Sequence, residues 1–210
     1  MKKLVLSFLF VTMGLLVSAQ TNLSSTQCDD LKTTLINTVA SIQTMHCRFV
    51  QQKTMTMLTE PIVSEGILYY AVPDKMRWEY TSPYQFALIV NGKQTIRIKD
   101  GKAEKLDTYQ GRMYKGLADI IMGSASGKSL FDASLFDVEL YDDGKCWKAE
   151  MTPKRRDMKR MFNLLVFRFN KQTQIIEQVD FVELNGDLTT IRFESILLNE
   201  AEDERVFNSF

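Results

Sequence analysis

From Lys75 to Gly101 the chain runs KMRWEYTSPYQFALIVNGKQTIRIKDG. Met76, Trp78 and Tyr80 take alternate positions, and Arg77 and Glu79 lie between them. A period of two places the large apolar side chains on one face of an extended strand and the charges on the other. Ala87 to Val90 follows, then Asn91-Gly92, a two-residue hairpin signal, then Gln94 to Ile98 and a second turn at Asp100-Gly101. Three strands joined by tight turns make an antiparallel meander. The same rhythm extends upstream, where Cys47 and Phe49 alternate with His46 and Arg48 and where Glu65 to Tyr70 reads as a further strand. Downstream it returns in Phe136 to Tyr141, the Asp143-Gly144 turn, Cys146 to Met151, Phe162 to Phe169, Ile175 to Leu184, the Asn185-Gly186 turn and Leu188 to Leu198. The total is about ten or eleven antiparallel strands.

Two segments break the alternation. Leu31, Leu35, Val39 and Ile42 recur at spacings of four, four and three, as on one face of a helix, with Ser25 or Thr26 placed to cap it. Tyr114, Leu117, Ile120 and Ile121 repeat the pattern, and Gly123 is placed to end it. A sheet of this size curls or folds over rather than staying flat in water. The expected fold class is therefore mainly β: a large antiparallel sheet, strongly curled or folded over, with two short amphipathic helices able to cover its concave side.

Met1-Lys2-Lys3, an apolar run from Leu4 to Val17 and the small pair Ser18-Ala19 have the form of a secretory signal peptide. The expected division is a leader at residues 1–19 and one exported domain at 20–210. The apolar run is shorter than the ~20 residues a membrane span needs, and no later stretch matches it. Cys28 lacks the small residues that precede a lipid-attachment cysteine, so no lipid of its own is expected. Taking Lys2 and Lys3 from 26 basic residues leaves 24 against 26 acidic ones. That balance disfavours nucleic acid, because phosphate binding needs a clear positive excess. Cys28, Cys47 and Cys146 allow at most one disulfide, with the pairing left open. His46 is the single histidine and the cysteines are far apart, so neither a metal site nor a cofactor is expected.

Three features resemble catalytic motifs without meeting their requirements. Gly123-Ser124-Ala125-Ser126-Gly127-Lys128-Ser129 has three residues between its glycines, where a phosphate loop needs four, and Ala125 stands where a nucleophile elbow needs serine. His46 has neither a second histidine nor a recognisable nucleophile beside it and reads as a surface strand residue. Asp142-Asp143 precedes Gly144 and reads as turn chemistry. The chain is not expected to be an enzyme.

The stretch Val72-Pro73-Asp74-Lys75-Met76-Arg77-Trp78-Glu79-Tyr80-Thr81-Ser82-Pro83 resembles the signature of the outer-membrane lipoprotein carrier (LolA) family: a proline, Arg-Trp, an aromatic residue and a second proline. In order, Phe49-Val50-Gln51-Gln52, Gly66-Ile67-Leu68-Tyr69, Leu88-Ile89-Val90-Asn91-Gly92, the turn-like Met151-Thr152-Pro153-Lys154 and Gly186-Asp187-Leu188-Thr189 are similar to further family segments. The resemblance implies an incomplete eleven-stranded barrel with a helical lid. It also implies a periplasmic carrier that accepts lipoproteins from an inner-membrane export complex and passes them to an outer-membrane acceptor. Val72 departs from the pattern, which places an arginine there to bond to the lid.

A carrier of acyl chains needs an adaptable apolar liner, a movable lid and a docking rim. The expected liner is Phe49, Met76, Trp78, Tyr80, Leu88 and Val90. Methionine is frequent, at eleven residues, and its unbranched side chain adapts to a flexible guest. The expected lid comprises Leu31, Leu35 and Val39 on the first helix and Leu117, Ile120 and Ile121 on the second. Lys154, Arg155, Arg156, Lys159 and Arg160 form a candidate docking rim for lipid phosphates or an acidic partner, or simply a solvated basic loop. Arg77, opposite the liner, is expected in a structural ion pair. The protein is expected to act as a monomer. The alternatives are an envelope sensor or interaction module on the same fold, binding a lipid or lipoprotein signal, and an unrecognised hydrolase.

Overall fold

The computed structural model describes residues 21–106 and 131–208. The leader, the second helical pattern with Leu117, Ile120 and Ile121, the 123–129 stretch and Phe210 lie outside the described residues. Twelve strands form one antiparallel sheet: β1 (Thr21–Asn22), β2 (Thr44–Thr54), β3 (Ile62–Ala71), β4 (Lys75–Ser82), β5 (Phe86–Asn91), β6 (Gln94–Lys99), β7 (Lys102–Lys105), β8 (Phe136–Asp142), β9 (Cys146–Pro153), β10 (Phe162–Asn170), β11 (Ile176–Glu183) and β12 (Leu188–Leu198). The two-residue β1 is a short edge strand, so eleven substantial strands carry the architecture. Their spatial order is β1-β8-β9-β10-β11-β12-β2-β3-β4-β5-β6-β7, and among the described residues the two ends do not pair with each other. The sheet is open. Buried side chains from β5 at one side (Leu88, Val90) and from β8 at the other (Phe136, Leu140) belong to one core cluster, so the sheet curls around a shared inner face.

Helix α1 (Ser25–Ala40) forms where the Leu31, Leu35, Val39 spacing places it, and all three side chains are buried. Its N-cap is Ser24 rather than Ser25 or Thr26. Gln27 stands three residues after Ser24, so its side-chain oxygen accepts from the Ser24 N–H at 3.0 Å while Ser24 Oγ accepts from the Gln27 N–H at 3.4 Å. That reciprocal box satisfies two otherwise orphaned polar groups. Two turns also differ from expectation. Asn91 pairs with Gln94, which moves the hairpin loop to Gly92-Lys93, where Gly92 takes the positive φ of 61°. Thr152-Pro153 is not a turn but the end of β9, with Pro153 paired to Phe136. The basic run after it is a short helix, α2 (Arg156–Lys159), with its flanks.

The outer face of the sheet is polar over much of its area. Arg77 Nε donates to Glu79 Oε2 at 2.6 Å, the structural ion pair expected for it. Lys148 pairs with Glu150 at 2.8 Å, and Arg168 pairs with Asp180. After β12 the chain crosses back over the outer side of β4 and β5 and ends in a 3-10 helix, Glu204–Phe207. Lys75 holds Glu204 at 2.6 Å, Arg77 Nη1 donates to the Val206 carbonyl at 3.2 Å, and Asn91 Nδ2 donates to Asn208 Oδ1 at 2.9 Å. This strap explains why β5 is buried on both faces, with Ala87 and Ile89 covered outside and Leu88 and Val90 inside.

Candidate functional site: the inner face of the curled sheet

Register sets the site. Cross-strand partners share a face, so the pairings read off transverse rows of inner side chains. Met45, Tyr70, Met76 and Val90 form one row, and Cys47, Leu68, Trp78 and Leu88 the next. A third runs Phe193, Phe49, Gly66, Tyr80, Phe86. The first two rows are buried throughout, and α1 adds Leu31 and Leu35 to the same cluster.

All six expected liner residues stand on this face. Phe49, Met76, Trp78, Leu88 and Val90 are buried, and Tyr80 is half-buried. They touch one another: the rings of Phe49 and Trp78 lie 4.2 Å apart, and Tyr80 meets Phe49 edge-on at 5.2 Å. Phe193 approaches Trp78 at 6.3 Å and Phe86 approaches Tyr80 at 6.0 Å. The result is an aromatic cluster on neighbouring strands. Gly66 makes room for it, because a Cβ there would meet the Phe49 ring at 2.4 Å.

Polarity appears toward one end. Tyr80 Oη donates to Gln51 Oε1 at 2.8 Å, and Lys53 bridges to Glu183 at 2.9 Å, both on the inner side past the aromatic row. At the opposite end Thr38 Oγ1 of α1 donates to Gln174 Oε1 at 3.0 Å. Val72 packs against the core cluster there, and its N–H donates to the Gln43 carbonyl at 2.9 Å. An apolar side chain at 72 thus fills space beside the start of β2.

No helix among the described residues is long and apolar enough to cross a membrane. Nor do the described residues gather three or more metal-ligating side chains. His46 stacks on Tyr69 at 4.3 Å and faces Glu202 at 3.7 Å on the outer side. Asp142 and Asp143 form the β8–β9 turn, their Oδ1 atoms accepting from the Gly144 and Lys145 N–H groups. All three cysteines are free thiols, and burial pushes Cys47 up to about 12.

Of the candidate docking rim, Lys154 bonds Asp137 at 2.6 Å and Arg155 pairs with Asp157. Arg156, Lys159 and Arg160 are exposed. Sequence reading placed Cys47 on the Phe49 face without counting it as liner, and missed Phe193, Phe86, Leu68 and Met45 as inner-face residues. Alternation within β2, β3 and β5 carries the signal for most of them. Phe193 reaches the site only through β12 pairing with β2, a contact between distant parts of the chain that no local pattern encodes.

These features define a class: an open antiparallel half-barrel with a continuous apolar inner face, roofed at one end by an amphipathic helix. Within that class the chain belongs to the family described as outer membrane lipoprotein carrier protein LolA, whose profile matches residues 40–209. Among solved structures it is similar to an uncharacterized conserved protein from Thermus thermophilus, at TM-score 0.50 and 7% identity over 83% of this chain and 91% of that one. A putative outer membrane lipoprotein-sorting protein domain from Vibrio parahaemolyticus is similar at TM-score 0.47 and 8% identity, covering 85% of this chain and 95% of that one. The Pseudomonas aeruginosa MucA/MucB complex contains a chain similar at TM-score 0.49 and 13% identity; 85% of the present chain aligns, over 59% of that chain. No curated protein sequence matches the chain.

Proposed function

We propose that the protein is a periplasmic carrier, exported by the leader at residues 1–19, whose single domain at 20–210 binds lipid acyl chains against its inner face. Lipoproteins are the foremost cargo, taken from an inner-membrane export complex and delivered to an outer-membrane acceptor by a monomer without a catalytic step. The observation that carries this reading is the set of inner rows from Met45 to Phe193, apolar across adjacent strands and curled into one cluster. Membership of the lipoprotein carrier family supports it.

The physical chemistry follows from the cost of exposing hydrocarbon. Each buried CH₂ contributes ~0.8 kcal/mol, so a chain of about sixteen carbons represents roughly 12 kcal/mol of exposure in water. Such a guest moves only by direct handover. The liner side chains touch one another, so loading displaces α1 and opens the space beneath it. Met45, Met76 and Met151, all buried, are suited to re-pack around a flexible chain.

Native mass spectrometry of the protein purified from its own periplasm tests this. The expected result is an added mass matching an acylated molecule, reduced in a Trp78→Ala variant. Finding only the ligand-free mass under gentle conditions, in wild type and variant alike, refutes the reading.

A further inference from the structure

Antiparallel connection sends alternate turns to opposite ends of the sheet. The pairings Lys53 with Ile62, Tyr80 with Phe86, Val182 with Leu188 and Leu165 with Met151 place four connections at one end: 55–61, 83–85, 184–187 and 154–161. This is the end away from α1. In spatial order they lie side by side, because β9-β10-β11-β12-β2-β3-β4-β5 are consecutive.

Eight large apolar side chains are exposed among the described residues, and six of them sit at this rim: Met57 (89% exposed), Leu58, Ile62, Tyr84, Met161 and Leu184. The other two, Val63 and Leu197, lie on the outer face. Scattered exposed apolar residues are ordinary. Six at one end of a sheet, mostly on its turns, are not scattered. The turn bearing Met57 and Leu58 is also held in place, because Asp187 Oδ1 accepts from the Thr56 N–H at 2.9 Å and from Thr56 Oγ1 at 3.2 Å. That contact ties the 55–61 turn to its neighbour at 184–187.

The same rim carries positive charge. Segment 154–161 holds five basic residues and one acid, Asp157, which is taken up by Arg155. Arg156, Lys159 and Arg160 have no ion pair among the described residues, and Met161 follows directly. Glu60 is the exposed carboxylate of the facing turn. Apolar tips beside unpaired guanidinium and ammonium groups fit a surface that has anionic phosphates above hydrocarbon. That combination describes the interface of an acidic bilayer. A protein surface that is acidic throughout would answer the charges but leave Met57 and Leu58 in water.

We propose that this rim docks on the surface of anionic phospholipid membranes, with Met57, Leu58 and Leu184 entering the headgroup layer and Arg156, Lys159 and Arg160 meeting phosphates. The proposal is independent of what the inner face carries.

Flotation of the purified protein with phosphatidylcholine vesicles, with and without phosphatidylglycerol, tests it. The expected result is binding to the phosphatidylglycerol vesicles that weakens with added salt. Arg156→Glu/Lys159→Glu/Arg160→Glu and Met57→Ser/Leu58→Ser should each lower partitioning by about tenfold or more. Thermal melts verify that both variants fold, and uptake of a fluorescent fatty acid is measured in parallel. Uptake unchanged with flotation lost supports the rim and leaves the carrier reading intact. Absence of uptake in the wild type counts against the carrier reading alone. The docking proposal is overturned if the wild type fails to float with phosphatidylglycerol vesicles. It is equally overturned if it floats as well without the anionic lipid, or if either folded variant floats like wild type. Charge reversal that abolishes binding to an acidic protein while leaving flotation unchanged would assign the rim to a protein partner instead.

Discussion

Replacing Gly66 by alanine adds one methyl group to the middle of β3, and the structure sets both the sign and the size of the effect. A Cβ at this position would lie 2.0 Å from the Glu79 carbonyl oxygen and 2.4 and 2.6 Å from two carbons of the Phe49 ring. Neither neighbour yields easily. The carbonyl belongs to β4, and moving it separates strands whose hydrogen bonds contribute ~1 kcal/mol each. Phe49 is fully buried, with Trp78 4.2 Å away on one side and Tyr80 edge-on at 5.2 Å. Overpacking in a dense core costs ~1–3 kcal/mol, and two unyielding contacts put Gly66→Ala at the upper end, about 3 kcal/mol. Without a clash the sign would reverse, since trading glycine for alanine in an ordinary extended conformation stabilises by ~0.4–1 kcal/mol through the unfolded chain. Urea unfolding followed by tryptophan fluorescence measures the difference, because Trp78 reports on this cluster directly. Adding Phe49→Leu to Gly66→Ala should recover part of the loss and leave the share due to the Glu79 carbonyl. A Gly66→Ala protein as stable as wild type, or more so, would refute the packing described for the inner face.

Two further outcomes follow from ionisable groups. Hydrogen bonds from Thr56 hold the Asp187 carboxyl below its usual range. Its folded value lies under an unfolded one of ~3.9, so its contribution is present above about pH 4 and is lost as pH falls through the folded value. Urea midpoints at neutral and acid pH should therefore converge between wild type and Asp187→Asn on acidification. An offset that stays constant with pH would refute the role of the charge. Alkylation with iodoacetamide at mildly alkaline pH, read by mass spectrometry, should modify the half-buried Cys28 first. Cys47 and Cys146, each pushed up to about 12 with burial as the largest cause, should react only after unfolding. Labelling of Cys47 as fast as Cys28 in the folded protein would contradict its burial.

The legible part of this protein is the part written in short-range period. Alternation at Met76, Trp78 and Tyr80, and at Cys47 and Phe49, assigned faces correctly because consecutive side chains of any strand point to opposite sides. Leu31, Leu35 and Val39 marked their helix for the analogous reason. Errors fell where one residue's reach decides the outcome. Gln27 settled the cap at Ser24, and the pairing of Asn91 with Gln94 shifted a loop by one position. Thr152-Pro153 reads as a turn from its similarity to a family segment, yet here Pro153 completes β9 at the sheet's margin.

What the amino-acid order determined on its own was the alternation of faces, the antiparallel hairpins and the kinship carried by ordered motifs from Phe49 to Thr189. What only the folded chain decided was which distant strands become neighbours. Pairing of β12 with β2 brings Phe193 to Phe49, the C-terminal strap buries Ala87 and Ile89 from outside, and four separate turns gather at one rim. Period-two patterning specifies which side of a strand is apolar but carries no label for its partner. Partner choice is settled by the joint burial of faces contributed from all along the chain.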